Sequence, residues 1–189
     1  MITGVLLAAG RGERFGGDKL HATLPDGRTL ATASAEALVA ALPRVVAVTR
    51  PGDDAVAELL AAAGCTVVVC DRACEGMGAS LACGVRASRA ASGWIIALAD
   101  MPAIRPATIR GVAAHLATGA RIVTPVHDGR GGHPVGFAAE FGAALAALGG
   151  DEGARGIVRA HQADVTRFAT DDPGIFHDID TPADLSMGH

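Results

Sequence analysis

Gly4-Val5-Leu6-Leu7-Ala8-Ala9-Gly10-Arg11-Gly12-Glu13-Arg14-Phe15-Gly16-Gly17-Asp18-Lys19 is the stretch from which the fold can be read. It begins as an unbroken apolar run and turns abruptly into glycines and cations. A continuous apolar run, unlike an alternating one, marks a strand covered on both faces. Glycines let a backbone approach a phosphate closely and turn its N–H groups toward it. Arg11, Arg14 and Lys19 add full positive charge. A buried strand that feeds such a loop is expected to hold a phosphate chain at the strand's end.

Working outward, apolar runs recur at Val45–Thr49, Thr66–Cys70, Trp94–Ala99, Arg121–Val126 and Val165–Phe168. Between them lie Ala- and Leu-rich stretches with helical spacing, at Leu30–Leu42, Asp54–Ala63, Ala79–Ala91 and Pro106–Ala117. Strand alternating with helix is the pattern of βαβ units and a mostly parallel sheet, so the expected fold is a Rossmann-like, three-layer αβα domain. Right-handed crossovers place the strand C-termini along one edge, where open α/β sheets bind ligands. The polar chemistry of this chain collects there: Asp100-Met101-Pro102 after the fourth run, Gly131-Gly132-His133-Pro134-Val135 after the fifth, and Asp178-Ile179-Asp180-Thr181-Pro182 near the end. No linker or repeat interrupts the pattern, and one domain over residues 1–189 is expected. Arg130–Arg155 is expected to leave the sheet as a small excursion.

The bulk numbers narrow the function classes. A chain of 189 residues buries roughly 70% of the surface its unfolded form exposes, enough for a full core. A net charge of −4, without a run of Lys or Arg, disfavours a nucleic-acid surface. One Trp, five Phe and no Tyr argue against a platform for stacking bases. The N-terminal apolar run is too short to cross a membrane and lacks a charged leader. Four cysteines without a CxxC pair read as free thiols in a reducing cytoplasm.

Three glycine loops are candidates for Gly10–Lys19. The dinucleotide fingerprint GxGxxG fails, since Phe15 stands where the third glycine belongs. The P-loop GxxxxGK[ST] fails too, because Asp18 follows Gly17 in place of lysine. LxAGxxxRxGxxK fits from Leu7 to Lys19. It resembles the signature loop of the molybdenum cofactor nucleotidyltransferases, a MobA-like group of NTP transferases, and of their sugar-nucleotide relatives. Asp100-Met101-Pro102, Gly76-Met77-Gly78-Ala79-Ser80-Leu81, Gly132-His133-Pro134-Val135, Gly150–Arg155 and Asp178–Leu185 are similar to later segments of that family in the same order, so the resemblance spans nearly the whole chain. Among its members the chain looks most like the cytidylyltransferases. They carry Ala-Ala-Gly, as at Ala8-Ala9-Gly10, where guanylyl enzymes carry Ala-Gly-Gly. A methyl at Ala9 would narrow the pocket against a purine, which discriminates by about 1–3 kcal/mol.

The resemblance implies a nucleotide-diphospho-sugar transferase type of fold and a defined set of site residues. Leu7, Ala8, Ala9, Gly10, Arg14, Lys19, Gly76, Ser80 and Asp100 would bind the nucleotide. Arg14, Lys19 and Asp100 would be catalytic. Gly132, His133 and Arg155 would face the acceptor. Asp100 and Asp180 would hold Mg²⁺, an ion that takes one or two carboxylates together with phosphates and waters. Asp178 ranks lower as a ligand, its side chain being expected on the opposite face from the other ligand positions. The implied reaction moves CMP from CTP to the terminal phosphate of molybdopterin, with a molybdoenzyme as eventual recipient of the product. A guanylyl or other nucleotidyl transfer to a different phosphorylated acceptor is the nearest alternative. A nucleotide-dependent oxidoreductase on a related fold is the alternative from a different class.

Overall fold

The computed structural model describes residues 1–10, 12 and 15–186. Strand β1 (Ile2–Leu7) is followed by α1 (Leu30–Val39), β2 (Val45–Thr49), α2 (Asp54–Ala62), β3 (Thr66–Val69), α3 (Met77–Ala87), β4 (Gly93–Leu98), α4 (Pro106–Ala117) and β5 (Ile122–His127). The chain continues through β6 (Arg130–Gly131), β7 (Val135–Ala138), two short helices, α5 (Gly142–Ala146) and α6 (Arg155–Ala160), and β8 (Val165–Ala169). The strands lie in the order β3-β2-β1-β4-β7-β5-β6, with β8 on β5. All pairs are parallel except those of β6 and β7.

β1 is buried because both of its edges are paired, Gly4 opposite Val45 and Leu6 opposite Ala97. Its alternate residues feed two cores. Leu6 and Ala8 pack with Leu30, Leu38, Leu60, Ile109 and Val112 from α1, α2 and α4. Val5 and Leu7 pack with Leu81, Val85, Phe141 and Leu145 on the other face. Helices on both faces of a mostly parallel sheet make the Rossmann-like three-layer arrangement. Each fully buried Leu or Ile contributes about 1.5–3 kcal/mol. Gly84 lets α3 lie close on the sheet, since a Cβ there would come within 2.5 Å of Val5 Cγ1. Among the described residues no helix is long and apolar enough to cross a membrane.

The chain runs from β1 outward to β3, then crosses back to set β4 on the other side of β1. This reversal opens a crevice at the C-terminal ends of β1 and β4. Arg130–Arg155 does not leave the sheet as expected. Arg130–Gly131 and Val135–Ala138 are both ladder strands, and the departure begins only at the turn Ala139–Phe141. Along β5, Val126 pairs with Gly131 but Val123 pairs with Gly136. Four residues of one strand therefore face two of the other, and the two-residue surplus bulges out within Gly132–Pro134, with a cis His133–Pro134 peptide.

Candidate active site

The cleft at this crevice encloses about 550 Å³, and its walls come from three places. Leu7, Ala8, Ala9 and Gly10 supply the end of β1, Gly76, Met77 and Ser80 the start of α3, and Lys19, Asp100 and Asp180 the charged floor. Backbone bonds explain why these distant residues meet. The Ala99 N–H donates to the Leu7 carbonyl at 3.1 Å, carrying the β1–β4 ladder past the strand ends. The buried Ser34 hydroxyl of α1 donates to the Ala99 carbonyl at 2.9 Å, fixing the residue before Asp100. The Ile179 N–H donates to the Asp100 carbonyl at 2.9 Å and draws the terminal segment onto the same spot. Asp184 completes the turn by accepting from the Asp180 and Thr181 amides.

Lys19 is 8% exposed, and its ammonium donates to Asp100 Oδ2 and to Asp180 Oδ1, each at 2.9 Å. Burial pulls its pKa down, but the hydrogen bonds to Asp180 and Asp100 and their charges outweigh that, so it ends above 10.5 and stays cationic at neutral pH. Asp100 Oδ1 is buried without a hydrogen-bond partner. An unmet carboxylate oxygen beside a second carboxylate suits a cation. Among the described residues no group of three or more His, Cys, Asp or Glu could hold a metal ion. A cation here would take two carboxylates and draw its other ligands from a substrate or water, the manner of Mg²⁺.

Arg14 lies outside the described residues. Ser80 lines the cleft, though its hydroxyl points back to the Gly76 carbonyl at 3.4 Å and the residue is nearly buried. Gly76 and Gly78 are pressed against Gly150, with the Gly78 N–H donating to its carbonyl at 2.7 Å. Gly132, His133 and Arg155 do not line this cleft. Gly132 abuts the Ile175 backbone, and the His133 amide donates to the Ile175 carbonyl at 3.0 Å. His133 nevertheless feels the charges of Asp100, Arg155 and Asp178. Burial, with Arg155 adding to it, pushes its imidazole below 6.5, so it is neutral at pH 7, and its Nδ1 is buried without a partner. Asp178 lines a second cavity with Arg28 and Phe176, while Asp180 lines the first. Asp151, Cys74, Met77 and Phe15 also border the first cleft. Asp151, Met77 and Phe15 fall inside segments already singled out; nothing local marked Cys74. All four cysteines are free thiols.

Residues 4–165 match the family described as the MobA-like NTP transferase domain. Nicotine blue oxidoreductase of Paenarthrobacter nicotinovorans is 33% identical over 95% of this chain and 92% of its own length. A nucleotidyl transferase from Methanothermobacter superposes with a TM-score of 0.84 at 26% identity, over 99% of this chain and 95% of that one. Rv0371C of Mycobacterium tuberculosis, solved as a complex with manganese, does so with a TM-score of 0.78 at 27% identity, over 98% and 96%.

Proposed function

This chain belongs to the MobA-like NTP transferase domain family, and from that premise we propose that it transfers CMP from CTP to the terminal phosphate of molybdopterin, using Mg²⁺ and releasing pyrophosphate. The observation that carries the reading is the Lys19 ammonium held between Asp100 and Asp180 on the floor of a glycine-walled cleft.

The acceptor phosphate is already ionised, so little acid–base work is needed. Its oxygen attacks the α-phosphorus of CTP in line, the bond to the β-phosphate breaks, and pyrophosphate departs. Catalysis is then positioning and charge stabilisation. Lys19 and Arg14 neutralise charge growing on the β- and γ-phosphates. Leu7, Ala8, Ala9 and Gly10 line the triphosphate path, and Gly76 to Ser80 form the wall for the base. The Ala9 methyl favours a pyrimidine over a purine. Asp100 and Asp180 would hold the divalent cation, and the manganese complex of the mycobacterial relative supports such an ion. When bound, that ion polarises the α-phosphate. Gly132, Arg155 and the neutral His133, which feels the charges of Asp100 and Arg155, receive the acceptor. The product passes to a molybdoenzyme in the cytoplasm, where the four free thiols persist.

The test is to mix the protein with Mg²⁺, molybdopterin and each of the four NTPs in turn and to assay pyrophosphate. Release with CTP that depends on molybdopterin is expected. No release with any nucleotide would overturn the reading.

One observation favours a second reading: the 33% identical relative is an oxidoreductase by name. Against it, the dinucleotide fingerprint is broken at Phe15. Glu36, at about the spacing of a ribose-binding acid, sits on α1 and is paired with Arg28 at 2.9 Å. Oxidation of a reduced pyridine nucleotide by an added dye, dependent on the protein, would support this alternative.

A further inference from the structure

The glycine loop is gripped from outside the cleft by a side chain that the transfer chemistry does not use. Arg50 follows β2 directly. Its Nη1 donates to the Gly10 carbonyl at 3.3 Å, and its Nη2 lies 3.5 Å from Asp18 Oδ1 and 3.2 Å from Asp53 Oδ2. Gly10 and Asp18 stand at the two ends of the loop, so one guanidinium spans its mouth. The Asp53 side chain is 10% exposed, and its other oxygen lies 4.0 Å from His21 Nε2, in the turn that follows Lys19. A planar fork reaches a carbonyl and two carboxylates at once, which a lysine ammonium, a point charge, does less well. Gly10 and Lys19 border both the cleft and the small recess holding Arg50.

We propose that Arg50 is a positioning residue for the triphosphate loop. With Asp53 and His21 it clamps Gly10 to Asp18, and so sets nucleotide affinity without touching the substrate. The clamp's role rests on the nucleotidyl-transfer reading; its mechanical part does not. A loop ordered beforehand loses less entropy on binding. Each contact is partly in solvent, so the effect is moderate.

The test measures hydrogen exchange over residues 10–19 in the ligand-free protein, beside the KM for CTP and kcat, for wild type, Arg50→Gln, Arg50→Lys and Asp53→Asn. Arg50→Gln should speed exchange in that segment alone and raise KM about fivefold, with kcat changed less than about twofold. Arg50→Lys should recover only part of the loss, and Asp53→Asn should move both readouts the same way. Unchanged exchange in Arg50→Gln, or a fall in kcat without a change in exchange, overturns the clamp. If wild type releases no pyrophosphate from any nucleotide, the transfer reading fails, and the exchange comparison still decides the clamp.

Discussion

Two clusters in this protein are assembled from the same parts, one cation between two carboxylates, and their surroundings make them different things. Arg121 meets Glu140 at 2.7 Å and Asp164 at 2.5 Å, tying the start of β5 to the turns after β7 and before β8. Its side chain is 44% exposed, and hydrogen bonds from it hold both carboxyls below their ordinary values. Such a pair is satisfied by its own members and by solvent, and it works as a surface staple of small worth. Lys19 carries the same formal excess of one negative charge, but the cation is buried and one Asp100 oxygen is left unmet. Burial strengthens the Lys19 charge, and the unmet Asp100 oxygen leaves binding capacity for a ligand. Identical charge counts thus separate into a staple and a site according to burial and hydrogen-bond satisfaction.

Lys19→Ala and Asp100→Ala strain this contrast hardest. Each should lower pyrophosphate release by at least about a hundredfold, as the loss of a preorganised charge partner does. Near-normal turnover in both, with circular dichroism showing an intact fold, would erase the distinction between the clusters.

The opposite wall of the cleft offers a smaller effect. Gly76 has φ +121°, and a Cβ there would lie 2.5 Å from the Gly150 carbonyl oxygen. Gly76→Ala should cost about 1–3 kcal/mol in denaturant unfolding and weaken CTP binding. Wild-type affinity in that variant would show that the wall does not face the nucleotide.

Arg121→Gln should change least. Turnover is expected to stay at the wild-type level, with only a slight fall in Tm that shrinks in high salt. The sign with pH follows from the depressed carboxyls. Their contribution is complete above the ordinary values of 4.5 for Glu140 and 3.8 for Asp164, and it is lost as pH falls through their lower folded values. The Tm gap between wild type and variant should therefore be present at pH 7 and close in strong acid. A gap that widens in acid would contradict the staple.

Much of this was legible in the linear chain. The six parallel strands follow the apolar runs to within a residue or two, and for β1, β2 and β4 the reason is that a strand covered on both faces must be apolar throughout. The glycine loop and the Asp100 segment announced themselves by position, directly beyond strand ends, whereas the Asp180 segment lies well past β8, after the turn Pro173–Phe176. β7 was not legible: Val135–Ala138 is four residues long with a central glycine, and it becomes a strand only because β4 and β5 flank it. Helix α1 was read to Leu42 but ends at Val39.

By itself, the sequence determined which polar and glycine-rich segments gather at one sheet edge, since strand periodicity and glycine loops are local properties. Only the tertiary structure decided how they combine. It brought Asp180 to Lys19 through the Ile179–Asp100 backbone bond and placed Asp178 along a different cavity. It also pushed His133 out of the ladder by a two-residue slip in register, and set Arg50 across the mouth of the loop. The physical reason is that register and side-chain burial depend on contacts between residues 40 to 161 positions apart, which no local pattern encodes.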